Sequence, residues 1–595
     1  MSDPSETGAP PIDAPGRPAA AVAPRRDAAT AAAEPSATDP SREPADPPPP
    51  PADDATGLTM PRGRALLYWC ASLVFGITQG LGINLVTANL PALQGYFGVT
   101  TVEASAVTAA YYATSATASL VLFKIRFQFG LRIFAELGLV LFIVVQAAHL
   151  LVNDIPSAIA ARAVLGLVAA PLTSIAILYA FEPLPQARRF TLGLCIGLAG
   201  TQFAAPIARI ISPDLLQAAG DWHGLYLFEI GLACLCLPLL YLLPLTPPPR
   251  MVLFDRMDIV TLPLLALGFG LVVVAMTFGP ILWWTSVPWI GVCLALGILC
   301  LTVVVAVELN RARPTINLRW ISTYDILSLA GALLVFRFLL SEQTFGIVQF
   351  LRLFGFTNEG EQALFRVILL STAAGFATNA LILKPGREPA IHMAALALIA
   401  FGAFADAQAT SLWRPEQFMT SQALIGFAGG LFLPSALMAG MRRAIIHGVP
   451  NLMSFLIVFA ATQSVGGLVS AAALQSFVTV RTQAQLQHMG AAMPGTEPLV
   501  AGRIAQLGAG YAPVLPDPAL AQAQGFASLS QSLGLEAQVA AYRDTFALVG
   551  WVALLALAFL LVNSLLAAVR ARGDPAPAPE SSPPAAAPSP RSRPA

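Results

Sequence analysis

The sequence predicts an all-α polytopic membrane protein with fourteen spans, and three observations carry that expectation. Fourteen apolar runs succeed one another between about residue 66 and residue 569, each close to the ~20 residues that a transmembrane helix needs. The loops between them alternate in charge. One set holds Arg62 and Arg64, then Lys124, Arg126 and Arg132, then Arg188 and Arg189, then Arg250 and Arg256. It continues with Arg311, Arg313 and Arg319, then Lys384 and Arg387, Arg442 and Arg443, and finally Arg570 and Arg572. In the other set the first four loops hold no Lys or Arg, and the next two hold Arg352 and Arg414. Positive loops stay in the cytoplasm, so both termini are expected there and the number of spans is even. Composition agrees: the chain is 56% hydrophobic and only 11% charged, far from the balance of a soluble domain.

In chain order, residues 1–64 are rich in Pro, Ala, Asp and Ser. Such a stretch buries too little apolar surface to offset its ordering entropy and reads as a disordered cytoplasmic tail. It lacks the short apolar core of a signal peptide. The spans are placed at 66–89, 102–123, 133–152, 157–180, 190–212, 225–245, 259–280, 286–309, 325–349, 362–384, 391–410, 417–440, 452–478 and 545–569. Trp69, Trp222, Trp283, Trp284, Trp289, Trp320 and Trp413 fall close to predicted membrane faces, as an aromatic belt requires. Connections are short except for 480–544, which charge alternation places outside the cytoplasm. Its stretches Leu499–Leu507 and Leu520–Tyr542 read as helical, with Pro494, Pro513, Pro516 and Pro518 as breakers. Residues 571–595 match the first tail in composition.

The zero net charge gives no reason to expect a nucleic-acid partner. All six cysteines lie inside predicted spans, which suggests neither a disulfide framework nor a metal site. No phosphate-binding loop or metalloprotease motif occurs, so neither an enzyme nor a cofactor is expected.

Several local motifs carry a family resemblance. The fourth span holds Arg162, Gly166, Pro171 and Leu172 in R-x-x-x-G-x-x-x-x-P-L spacing. Asp221-Trp222-His223 leads into the sixth span, Arg256-Met257-Asp258 opens the seventh, and Glu308, Pro314 and Asn317-Leu318 lead into the ninth. With fourteen spans and a large loop before the last, this order resembles the fourteen-span drug–proton antiporters of the major facilitator superfamily, the EmrB type. The resemblance implies a 65–245 bundle of six helices, a 246–323 linker with two extra central helices, and a second six-helix bundle over 324–570. It also implies proton-driven export of amphipathic organic compounds across a bacterial inner membrane. A periplasmic adaptor and an outer-membrane channel would be partners.

The departures are equally specific. Where the family's first span carries an Asp before an L-P pair, this chain has Asn84 and Asn89 before Leu90-Pro91. The loop after the second span keeps only Gly130 and Arg132 of its motif, and the fifth-span motif has become Ala205-Pro206-Ile207-Ala208-Arg209. A narrow-specificity metabolite transporter and a non-transporting membrane sensor or scaffold are the alternatives; the missing Asp favours the latter.

Charges at membrane depth are expensive and functional by default. Arg162, Arg209 and Glu229 fall in the outer parts of spans four, five and six, and an Arg209–Glu229 ion pair is expected. Glu103 opens span two and is expected to face Arg162. Arg337 and Glu342 share span nine, and Arg366 enters span ten. Together they form the expected substrate and proton pathway, unless the pairs only lock helices together. His149, at the outer end of span three, reads as a headgroup-level residue. Gly166, Pro171 and Pro206, with Gly130 and Arg132, are expected to be structural.

Overall fold

The computed structural model describes residues 58–246, 255–311, 314, 316–494 and 497–573. The first helix already begins at Arg62 and the last runs to Gly573. The expected tails otherwise lie outside the described residues, as do Arg250 and Arg313. The described residues contain helices and no strand.

In order these are α1 (Arg62–Ala88), the short α2 (Leu90–Phe97), α3 (Thr101–Phe129), α4 (Leu131–His149) and α5 (Ile155–Phe181). Then come α6 (Gln186–Ala219), α7 (His223–Leu242), α8 (Asp258–Leu282), α9 (Pro288–Leu309) and the one-turn α10 (Leu318–Ile321). The second half has α11 (Tyr324–Arg352), α12 (Asn358–Ile382), α13 (Glu388–Asp406), α14 (Pro415–Ile446), α15 (Val449–Ala491), α16 (Pro498–Ala509) and α17 (Pro518–Gly573). Among the described residues, thirteen of these helices are long and apolar enough to cross a membrane. The remaining expected span is α3, with 29 residues, whose first twenty are mostly Ala, Ser, Thr and Tyr. Its length, roughly 43 Å at 1.5 Å per residue, is ample for a bilayer.

Local chemistry sets the boundaries. The Thr100 hydroxyl accepts from the Glu103 backbone N–H and the Glu103 carboxylate accepts from the Thr100 backbone N–H at 2.9 Å, closing a capping box at the start of α3. Asp154 caps α5 through the Ser157 backbone N–H. Gly130 separates α3 from α4 with φ +93°, a backbone state that glycine takes without strain.

The helices form two bundles with a repeated packing scheme. In the first, α1 packs on α6, α3 on α5, and α4 on α7; in the second, α11 packs on α15, α12 on α14, and α13 on α17. Lipid supplies no hydrophobic drive between helices, so close contact through small residues has to supply the cohesion. Gly166 of α5 lies against the Tyr111 carbonyl of α3, where a β-carbon would come within 2.4 Å. Gly430 of α14 meets the Thr372 carbonyl of α12 in the same manner, at 2.6 Å. Pro171, one turn beyond Gly166, sits on Gly138 of α4, and Pro206 is buried in α6. The extra helices α8 and α9 pack on each other, and α8 rests on both α3 and α15. The bundles meet along two seams, α6 against α12 and α3 against α15.

Within the connection expected over 480–544, the stretches Leu499–Leu507 and Leu520–Tyr542 are helical as read, falling in α16 and α17. The bounds of the flanking spans are corrected: α15 continues to Ala491 and α17 already begins at Pro518, so both expected spans are parts of much longer helices. Hydropathy falls off beyond residue 478 while helix-forming Gln, Ala and Leu continue. Arg481 of α15 and Asp544 of α17 pair at 2.5 Å, and α16 packs on α17.

Candidate functional site

The first bundle encloses a packed polar cluster built on Arg162. Its side chain is fully buried, and Nη1 donates to the Gly82 carbonyl of α1 at 2.7 Å. The guanidinium also lies over the Tyr111 ring, 4.9 Å from its centre. Glu229 of α7 is likewise buried and accepts from the Gln146 amide of α4. Arg162 is the cation that faces Glu229. His149 stacks on Tyr226 at 4.5 Å, and Trp222 meets Tyr226 edge-on at 5.2 Å. Arg162 lies within hydrogen-bonding reach of Tyr226, and Tyr111 of Gln79. Trp222 Nε1 is buried with no acceptor in the protein, and His149, which donates through Nδ1 to the Val145 carbonyl at 2.8 Å, keeps Nε2 as a free lone pair. A cluster that holds both a free donor and a free acceptor away from bulk water suits recognition of a polar group.

Two expectations fail here. Glu103 does not face Arg162; it is exposed and capping α3. His149, the last residue of α4, is buried against Tyr226. Arg209 does not pair with Glu229, because it points off α6 toward the opposite bundle. There its Nη1 donates to Asn358 Oδ1 at 2.9 Å and Glu361 Oε2 at 3.3 Å on α12. Asn358 in turn donates to Asn89 Oδ1 at 3.0 Å, and Asn89 donates to Ser212 Oγ at 2.7 Å. Gln362 donates to the Ile210 carbonyl at 2.9 Å. One end of the α6–α12 seam is therefore closed by polar contacts.

In the second bundle Glu342 is fully buried and opens a wide π-helical turn, Glu342–Gly346, within α11. It lies within hydrogen-bonding reach of Asp406, the last residue of α13. Asp406 is also buried, and accepts from the Ser421 hydroxyl and from Gln422 Nε2 at 2.7 Å. Arg337, one face away on α11, is partly buried at the other seam, against Gly467 of α15 and near Tyr112 of α3. Arg366 is exposed and bonds its own helix neighbour Gln362 at 3.3 Å.

No protein-family model matches the sequence, and no curated protein is similar to it. Solved structures are. The human organic anion transporter MFSD10 aligns with 83% of this chain and 100% of its own, at 14% identity and TM-score 0.51. The proton:xylose symporter XylE, of the major facilitator superfamily, covers 84% of this chain and 95% of its own, at 13% identity and TM-score 0.51. PepTSo2 covers 85% and 99%, at 13% identity and TM-score 0.51.

The chain has the major facilitator fold.

Within this major facilitator fold, a charged cluster ties the extra helices to both bundles. Asp258 of α8 accepts from Lys124 Nζ of α3 at 2.6 Å and from Arg311 Nη1 at 2.8 Å. Arg311 also reaches Glu308 at 3.0 Å and Asp255 at 3.0 Å, and its guanidinium holds the Asp255 carboxyl below the usual carboxylate range. Asn317 donates to Asn451 Oδ1 of α15 at 2.7 Å. Asp258, Glu308 and Asn317 are motif residues noted in the sequence, and here they act as a clamp with Lys124 and Arg311. Arg132 stays outside it, exposed and paired with Glu136 at 2.8 Å.

Asp406 is the functional candidate that sequence reasoning missed. Its signal was present, a carboxylate inside the predicted span 391–410, but no nearby charge in sequence marked Glu342 as its partner. Gln146 was missed for the same reason, as a polar side chain with no charge.

Proposed function

We propose that this protein is a proton-driven secondary transporter of the drug–proton antiporter type, exporting amphipathic organic compounds across a bacterial inner membrane by alternating access. The observation that carries the proposal is the enclosure of chargeable side chains within both bundles: Arg162 and Glu229 in one, Glu342 and Asp406 in the other. Such groups are costly in a membrane and serve ion or substrate pathways by default. In this reading residues 65–245 and 324–570 rock against each other, 246–323 hold the extra spans, and both termini are cytoplasmic. Arg162 recognises the polar end of the substrate, while the aromatic wall of Tyr111, Tyr226 and Trp222 accepts its apolar part. Arg337, at the other seam, is a second pathway residue. The α15–α17 hairpin then engages a periplasmic adaptor that leads to an outer-membrane channel. The organic anion and proton:sugar transporters of the same fold support secondary transport as the general activity.

The test is proton flux in liposomes carrying the purified protein. Addition of an amphipathic organic cation or anion on one side should produce proton counter-movement. A panel of such compounds giving no flux in either direction sinks the proposal in favour of a sensor or scaffold.

A further inference from the structure

Arg337 of α11 is a cation without a counter-charge. It falls at the middle of the predicted span 325–349, and at 1.5 Å per residue it stands roughly 20 Å from either end of the helix. Among the described residues its guanidinium makes no hydrogen bond and no ion pair. The other cations singled out in the spans differ. Arg162 donates to the Gly82 carbonyl and faces Glu229, and Arg209 grips Glu361.

The helices around Arg337 supply no carboxylate at its depth. α15, against which it lies, has neither Asp nor Glu. α3 has only Glu103, occupied in the capping box, and α8 only Asp258, its first residue, held by Lys124 and Arg311. α14 has only Glu416, in its first turn. On α11 itself Asp325 lies more than three turns away, and Glu342, five residues on, points from a different face. Arginine cannot shed its proton to escape the cost of burial, as lysine or histidine can. A negative group must therefore come from outside the protein.

The space beside Arg337 is made by glycine. A β-carbon at Gly467 of α15 would fall 2.9 Å from Arg337 Nε and 3.1 Å from Nη2. The guanidinium thus lies against the α15 backbone and stays partly exposed. The nearby hydroxyls are occupied: Ser464 and Ser470 donate to carbonyls of their own helix at 2.9 and 2.7 Å. Gln463 is not. It stands one turn before Gly467, on the same side of α15, and makes no hydrogen bond among the described residues. The Tyr112 hydroxyl of α3, which packs on α15, is equally unused. Tyr112 and Gly467 fall near the middles of the predicted spans 102–123 and 452–478, so these groups share a depth between the bundles, where transporters of inverted-repeat build hold their substrates.

We propose that Arg337 binds the charged head of an organic anion, and that the site between α3, α11 and α15 takes carboxylates or sulfonates carrying an apolar body. The planar guanidinium donates two parallel N–H groups to the head, and Tyr112 and Gln463 donate to it as well. The Arg162 cluster, its cation already facing Glu229, meets an uncharged polar part of the molecule. The inference rests on the transport reading above and narrows its amphipathic compounds to anions; the binding itself needs no proton flux.

The experiment is isothermal titration of the full chain in detergent with 1-naphthoate, with its uncharged amide 1-naphthamide, and with sodium chloride as competitor. The native protein should bind the naphthoate roughly ten-fold or more tighter than the amide, the gain of a charge-assisted bidentate contact. Arg337→Gln should erase that preference and Arg337→Lys should keep part of it. Gly467→Ala, which pushes the guanidinium off its seat, should weaken the naphthoate and spare the amide. Equal native affinities for the two probes overturn the inference, as does a preference unchanged in Arg337→Gln. Chloride that displaces naphthoate at equal concentration would mean a site for small inorganic anions only, and the organic class would fall. If the preference appears as stated while no compound drives proton flux in liposomes, the anion site stands and the export proposal alone fails. Proton-coupled flux without the preference leaves export standing and rejects the anion site.

Discussion

Arg209 of α6 and Glu361 of α12 meet at 3.3 Å across the boundary between the two bundles, with the Glu361 side chain 1% exposed and that of Arg209 13%. The guanidinium sits at the same time over the Phe365 ring, 5.0 Å from its centre. An ion pair so placed is a joint between moving bodies as well as a stabilising contact.

Removal of one partner should strand the other. Arg209→Leu or Glu361→Leu alone leaves a buried charge without its counter-ion, a loss of about 3–5 kcal/mol. The double change should recover much of that, because two apolar side chains replace the pair. A double-mutant cycle on thermal stability measures the coupling, and purely additive effects would mean that the contact is energetically silent. The same cycle on Arg209 and Glu229 should be additive.

Arg162→Ala should abolish transport and, because it strands the buried Glu229, also lower the amount of protein in the membrane, so rates are compared per amount of protein. Arg162→Lys should retain part of the activity. Lysine keeps the charge but loses the planar fork that reaches Gly82 and Tyr111. Initial rates in liposomes check both; native rates in the Ala variant would show that Arg162 is dispensable.

Gly525→Val should loosen the hairpin of α16 and α17. A β-carbon at Gly525 would fall 2.2 Å from the Ile504 carbonyl oxygen, so the helices must separate, at a cost of about 1–3 kcal/mol. Limited proteolysis should then cut between α16 and α17 faster than in the native protein. Unchanged digestion would indicate that the two helices are not packed in solution.

Cysteines introduced at the exposed positions Ser530 and Lys384 should lie on opposite sides of the membrane. In intact cells an impermeant thiol reagent should label position 530 and spare position 384. Labelling of 384 alone would invert the orientation drawn from the Arg distribution.

Much of the architecture was legible in the residues, because lipid imposes one requirement at every span. Backbone groups must be satisfied within the helix and side chains must be apolar, and both leave a plain trace in hydropathy. Position along the helices was legible as well: Arg162, Arg209, Glu229, Glu342 and Asp406 all fall inside predicted spans. Direction was not. Arg209 and Glu229 were expected at one depth, yet α6 turns Arg209 toward α12 while α7 turns Glu229 toward Gln146. Azimuth around a helix is fixed by packing of small residues such as Gly76 on Gly200, where a β-carbon would come within 3.1 Å, and no linear pattern states it. The ends of α15 and α17 were missed for another reason. Hydropathy reports the bilayer, and these helices continue past the point where their residues cease to be apolar.

That continuation has a mechanical consequence. At 1.5 Å per residue, the 43 residues of α15 and 56 of α17 measure roughly 65 Å and 84 Å, against roughly 30 Å of hydrocarbon. More than half of α17 is therefore shaft outside the oil, continuous with the segment inside it and strapped to its neighbour by Arg481 and Asp544. A shaft of this kind has no loop to absorb a pull. Whatever grips the Pro518 end holds a handle on the second bundle, and tilting of that bundle swings the handle through an arc much wider than the motion within the membrane.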